Sequence, residues 1–251
     1  MIKMDYTIKA IIAIIIAATL TYLVIYVVPT LLPRLTYNAN YNTEPTVIIS
    51  SEVPGSIYVT TYNGPQIKIS NVITYTPLIP RPSMHYEAMQ TNNALSIQFI
   101  SITCPREQFY PIYTCIPNTG VYLPKGVKEL LINYSASIIN IQVNNMSNAY
   151  LALSSSVINV KLENIGNTTL RVSSTTGVIK IQGPGNYSIN VTGSSITIDT
   201  PPNTCIQINA VSSSITYPGG TIEGTGSKYM MQSTCITHII VQSMSSTVSI
   251  N

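Results

Sequence analysis

From Leu131 onward the chain restates one pattern six times: an apolar-x-apolar run, two to four serines, threonines or glycines, then a second apolar-x-apolar run. The copies are LINYSASIINIQV from Leu131, LALSSSVINVKL from Leu151, LRVSSTTGVIKIQ from Leu170, SINVTGSSITID from Ser188, IQINAVSSSITY from Ile206 and IIVQSMSSTVSIN from Ile239. Alternation with a period of two marks a strand with one buried face. The small-residue corners recur every 18–21 residues, until a longer gap before the last copy. Such a period predicts a stacked β-coil in which each unit buries its apolar row only against its neighbours. The expected ectodomain is all-β, a β-solenoid of ~19-residue two-strand rungs; the alternative is a β-sandwich with hairpins of similar length.

Upstream, TVIISS (Thr46–Ser51), SIYVTTY (Ser56–Tyr62), QIKIS (Gln66–Ser70) and ALSIQFISIT (Ala94–Thr103) also alternate and are rich in β-branched residues, so they read as strands. Ten of the sixteen prolines fall between Pro45 and Pro124, and only four follow residue 129. Proline lacks a ladder donor and confines strands to edges. The chain therefore divides into 1–9, an uncharged segment 10–33, a Pro-rich short-stranded region 34–128 and the repetitive body 129–251.

Over about residues 129–216 this rhythm resembles the bacterial and archaeal "putative adhesin" domains of the DUF4097 type. The resemblance implies stacked β-solenoid rungs with a small-residue turn between paired strands. The Gly-Asp dipeptide common at that family's turn is replaced here by Ser-Ser or Thr-Gly.

Residues 10–33, AIIAIIIAATLTYLVIYVVPTLLP, carry no charge, and 24 positions suffice for a transmembrane helix of about 20 apolar residues. Lys3 and Lys9 precede the run and only Arg34 follows closely, which predicts a cytoplasmic amino terminus and an extracellular remainder. A cleaved secretory signal is the alternative. A third is set by Lys9 and Ala10, whose junction resembles the class III signal peptides of archaeal pilin-like proteins; Ile14 stands where bacterial pilins carry glutamate.

Four cysteines, Cys104, Cys115, Cys205 and Cys235, suit two disulfides on the outer side of a membrane, with three pairings open. Cys104–Cys115 would close a proline-rich loop, and Cys205–Cys235 the insertion before the last repeat. Zinc is the competing reading, but no paired C-x-x-C spacing is present and the histidines are His85 and His238 alone. Asn133, Asn145, Asn167, Asn186 and Asn190 head N-x-[ST] sequons, each a candidate glycosylation site if the cell of origin glycosylates its surface.

Charged residues are 8% of the chain and the net charge is +3 with no basic block, which argues against nucleic-acid binding. Chemistry has few supports: one aspartate after residue 33, Asp199, scattered glutamates such as Glu44 and Glu52, and no G-x-S-x-G elbow around any serine. Ser154–Ser156 and Ser212–Ser214 read as tight corners, and Gly183-Pro184-Gly185 as turn punctuation. No metal or cofactor is expected. Seventeen tyrosines against two phenylalanines offer either a glycan-stacking face or a half-wet β core.

The expected function is that of a non-enzymatic, single-pass cell-surface protein, structural or adhesive, whose partners are the lipid bilayer, copies of itself or other envelope proteins, and glycans. Rival readings are a subunit of an extracellular filament or pilus, a viral envelope protein, and an extracytoplasmic hydrolase or accessory subunit using His85, His238 or Asp199.

Overall fold

The computed structural model describes residues 6–22, 34–51, 53, 55–75, 82–103, 115–230 and 234–251. Among these residues one helix, α1 (Tyr6–Tyr22), precedes fifteen strands. They are β1 (Arg34–Asn42), β2 (Thr46–Ser51), β3 (Ser56–Tyr62), β4 (Gln66–Tyr75), β5 (Ser83–Gln90), β6 (Ala94–Thr103), β7 (Cys115–Pro124) and β8 (Glu129–Ser173). There follow β9 (Thr176–Gln182), β10 (Gly185–Thr192), β11 (Ser195–Asp199), β12 (Thr204–Tyr217), β13 (Gly220–Met230), β14 (Thr237–Met244) and β15 (Thr247–Ile250).

The expectation of a transmembrane helix over 10–33 is corrected. The helix is 17 residues long and starts at Tyr6, so Lys9 and Ala10 lie within it. Seventeen residues rise about 26 Å, short of the ~30 Å hydrocarbon core. Among the described residues no helix is long and apolar enough to cross a membrane. Residues 23–33, the rest of the expected span, lie outside the described residues.

The all-β reading of the remainder agrees with the structure, but the expected solenoid, and its sandwich alternative, are replaced by a closed barrel. Parallel pairings run β8–β10–β14–β12–β15–β11–β9 and return to β8, a ring of seven strands. Closure follows from β8 and β12, which stay in strand geometry through their corners and so contribute to both walls. β2 and β3 extend one side in parallel with two stretches of β8, and β6 and β7 extend them in turn. Antiparallel strands finish the ends: β5 on β6, β4 on β7, β1 on β4, and β13 on β12.

Within β8 and on to β10 the chain advances 19 residues per pass. Asn148 Nδ2 donates to Glu129 Oε1, Asn167 to Asn148 and Asn186 to Asn167, each at a separation of 19. The final repeat breaks the order of the sequence. β14 lies between β10 and β12, and β15 between β11 and β12, so the last copy is inserted ahead of the one before it. The long gap before that copy is β13, which folds back on β12 while leaving the slot open for β14.

Alternation sends one apolar row of every pass inward. Val47, Leu130, Leu151, Leu170, Ile189 and Val241 on one wall, and Ile57, Ile139, Ile158, Ile179, Ile198 and Ile250 on the other, are essentially buried. β-branched and leucine side chains at about 25 cal/mol per Å² of buried apolar surface drive this arrangement.

Two corners explain why small residues were needed. At one, Asn145, Asn164 and Gly183 hold φ of 55°, 53° and 81°, the left-handed region that Asn and Gly tolerate best. At the other, Ser174, Gly193, Ser245 and Ser212 hold φ between 49° and 56°. Next to them a ladder of buried hydroxyls crosses the passes in the order Ser155, Thr175, Ser194, Ser246, Ser213. Ser194, Ser246 and Ser213 each donate to a carbonyl two residues back (Thr192, Met244 and Val211). Each also accepts an amide N–H from the adjoining pass: Thr175 to Ser194 at 3.2 Å, Ser194 to Ser246 at 3.3 Å, Ser246 to Ser213 at 3.3 Å. A residue without a hydroxyl there leaves a buried N–H unpaired.

Candidate functional site: a polar trough around Arg171

Because the chain advances 19 residues per pass, residues that far apart align across the outer wall. One such row is Asn133, Ala152, Arg171 and Asn190; its neighbour is Ser135, Ser154, Ser173 and Thr192. Register extends the first row through Ser50 and Gln98 on one side and through Gln242 and Asn209 on the other. Arg171 and the two glutamines apart, both rows are built from short side chains, and along them lies an open trough of about 770 Å³. The strand positions of β6, β2, three passes of β8 and β10 line it, a length of about 24 Å at ~4.8 Å per strand.

The trough is amide- and hydroxyl-rich. Gln98, Asn133, Asn190, Ser50, Ser135, Ser154, Ser173 and Thr192 present polar groups, and among the described residues Arg171 is the one charged member of its lining. No carboxylate pairs with Arg171 among the described residues, whose ion pairs are His85–Glu87, Lys161–Glu163 and Lys180–Asp199. The guanidinium sits 5.7 Å from the centre of the Tyr150 ring, on the shoulder of the trough, an arrangement that steadies a cation while leaving its N–H fork available. Beneath one end, the Tyr134 hydroxyl is pushed up in pKa by burial, partly offset by hydrogen bonds to Ser51 and Thr119.

A second surface recess, about 1010 Å³ and more open, lies along the serine corner and is lined by Ser156, Thr176, Ser195, Ser214, Thr247 and Glu223 among others. Tyr134 and Tyr187 are buried. Tyr58, Tyr62 and Tyr122 pack edge to face at 6.2–6.4 Å on the outer wall, with Lys68 5.4 Å from the Tyr62 ring.

The expected site residues fall as follows. Cys205 and Cys235 are bonded, their Cα atoms 5.6 Å apart. Cys104 lies outside the described residues and Cys115 opens β7, its side chain not described, so that pairing is not placed. Asn133 and Asn190 line the trough. Asn145 is exposed at a left-handed corner, while the amide nitrogens of Asn167 and Asn186 are donors in the asparagine ladder. His85 is on β5, 3.9 Å from Glu87; His238 is on β14; Asp199 is on β11, 3.9 Å from Lys180 and bonded by Asn251. The structure does not bring these three together, and among the described residues no group of three or more His, Cys, Asp or Glu is assembled. Glu44 accepts from Gln90 Nε2 at 2.7 Å, and Glu52 lies outside the described residues. Sequence reasoning passed over Arg171; the signal was its alignment with Asn133, Ala152 and Asn190 at the repeat spacing.

No family model and no curated protein matches the chain, so the resemblance seen over 129–216 and the pilin-like junction find no matching family there. Solved structures do show similarity. A "putative cell adhesion protein" from Clostridium sporogenes is 14% identical, with 86% of this chain and 99% of that one covered and a TM-score of 0.40. A "putative adhesin" from Bacteroides fragilis is 12% identical over 87% and 97% of the two chains, with a TM-score of 0.24. Another from Parabacteroides distasonis is 10% identical over 87% and 97%, with a TM-score of 0.29. At such identities and scores, what the trough can do is derived from its own residues.

Proposed function

We propose that this chain is a non-enzymatic adhesive protein of the cell surface, whose barrel is a rigid frame for recognition by its outer wall. The observation that carries this reading is the trough itself. A 19-residue advance aligns amide and hydroxyl side chains into straight rows over a closed apolar core, so their spacing is fixed before any ligand arrives. Pre-arranged donors and acceptors lose little conformational entropy on binding. The Cys205–Cys235 bond suits an oxidising exterior. The separation of His85, His238 and Asp199 gives the hydrolase reading no support.

Beads coated with the full chain should adhere to envelopes prepared from its own cells or from neighbouring cells, and the adhesion should survive heat inactivation of enzymes on those envelopes. Absence of adhesion, together with turnover of a hydrolase substrate that is lost on replacing His85, His238 or Asp199, would overturn the proposal.

A second reading has its own observation. Among the described residues β1, β5 and β13 are each paired along one edge only, which leaves open strand edges at both ends of the described sheet. Such edges accept a strand from another copy, which is the filament alternative. Negative-stain electron microscopy of concentrated protein separates the two, since fibres of uniform width arise only from the second.

A further inference from the structure

We infer that the trough around Arg171 binds an acidic polysaccharide, an inference that rests on the adhesive reading and names its ligand. Three features select the class. The trough is open and about 24 Å long, which suits a chain lying across the strands rather than an enclosed small molecule. Side-chain amides and hydroxyls, the complements of a polyol, are the commonest groups of its lining, and among the described residues it holds no acidic one. Arg171 supplies one unpaired cation with a planar fork, suited to a carboxylate or sulfate group.

The competing macromolecules fit less well. A nucleic acid presents a phosphate at every nucleotide and draws its affinity from several basic contacts, whereas this lining has one. A peptide in an extended groove needs a series of apolar pockets for alternate side chains, and here Phe99, Tyr134, Leu153 and Val172 are buried beneath the surface and Ile100 is the one large apolar side chain of the lining that is exposed.

The asparagines add a constraint. Asn133 and Asn190 both head sequons and both line the trough, so a sugar attached to either would occupy it. The inference requires both side chains to be unmodified in the native protein, while leaving exposed Asn145 free to carry a glycan.

The test uses the full chain, with a mild nonionic detergent to disperse the apolar amino-terminal segment. Biolayer interferometry compares immobilised polygalacturonate, dextran sulfate and neutral dextran, with free sulfate as competitor. Polygalacturonate or dextran sulfate should bind and dextran should not; the preferred polymer tells carboxylate from sulfate. Arg171→Gln should weaken binding about 10- to 100-fold, the range for loss of a hydrogen bond to a charged group. Asn190→Asp, which sets a carboxylate opposite Arg171 in register, should weaken it comparably. Both positions lie at the surface, and thermal melts matched to the parent show that the variants are folded. Equal binding of dextran and the acidic polymers, unchanged binding by folded Arg171→Gln, full competition by sulfate alone at stoichiometric levels, or a glycan on native Asn133 or Asn190 by peptide mass spectrometry would each overturn it. Beads of Arg171→Gln that adhere to envelopes as well as the parent would sink this ligand while sparing the adhesive function.

Discussion

Cys205, the second residue of β12, is bonded to Cys235, two residues ahead of β14, and the two strands lie side by side with Cys205 opposite His238. The bond thus joins strands that are adjacent in space but separated in the chain by the whole of β13.

Cross-linking this 30-residue separation restricts the unfolded chain by about 3–4 kcal/mol in the entropy model. The double variant Cys205→Ala/Cys235→Ala should lose stability of that order. Urea unfolding of the two proteins under non-reducing conditions measures it, and a difference under about 1 kcal/mol would show that the bond constrains little.

Gly193 isolates the backbone at a corner, since a Cβ placed there meets nothing within 4 Å while φ is +56°. Gly193→Ala should therefore cost about 1–2 kcal/mol through the left-handed conformation alone. Gly193→Asn should cost less, because Asn tolerates that region. Equal losses for the two variants would point to packing instead.

Ser246 sits between Ser194 and Ser213 in the hydroxyl ladder, donating to Met244 O at 2.7 Å and accepting from Ser194 N at 3.3 Å. Ser246→Ala strands a buried N–H, at a cost of about 1–3 kcal/mol. Ser246→Thr keeps the hydroxyl, as Thr175 does two positions along the ladder, and should lose less. Chemical denaturation ranks the three.

Burial first, and then its hydrogen bond to Tyr86 and the charge on that neighbour, push the Tyr41 pKa up to about 12. Burial also raises Tyr134 and Tyr187. In each case the folded state keeps a proton that the unfolded chain releases near pH 10, so stability is full below about pH 10 and falls as pH rises toward 12. Urea midpoints at a series of pH values should decline over that window. Tyr41→Phe, which cannot ionise, should flatten part of the decline, and an unchanged slope would remove Tyr41 from the account.

The local rules were legible because each is written in a single side chain. Serine at Ser154–Ser156 and Ser212–Ser214 marks corners, and the structure uses Ser155 and Ser213 there as buried hydroxyl bridges. Alternation likewise placed Ile189 and Val191 inside. Order was not legible: all six copies share one rhythm, and nothing in IIVQSMSSTVSIN says that it belongs beside Ser188–Val191 rather than after Tyr217. Closure into a ring was hidden for the same reason, since it depends on which copies become neighbours. At the amino end, absence of charge over 10–33 measured hydrophobicity but not helix length, and the described helix covers Tyr6–Tyr22. Arg171 was overlooked because a lone cation among Asn and Ser has no local motif; its setting emerges only when positions 19 apart are laid side by side.

The slot filled by β14 and β15 has a temporal meaning. During synthesis, every strand that borders it leaves the ribosome before its occupants do, so the nascent barrel must wait with a seam open on both walls. Residues 237–250 act as a keystone, and a chain clipped ahead of them would present raw parallel edges to any protein nearby.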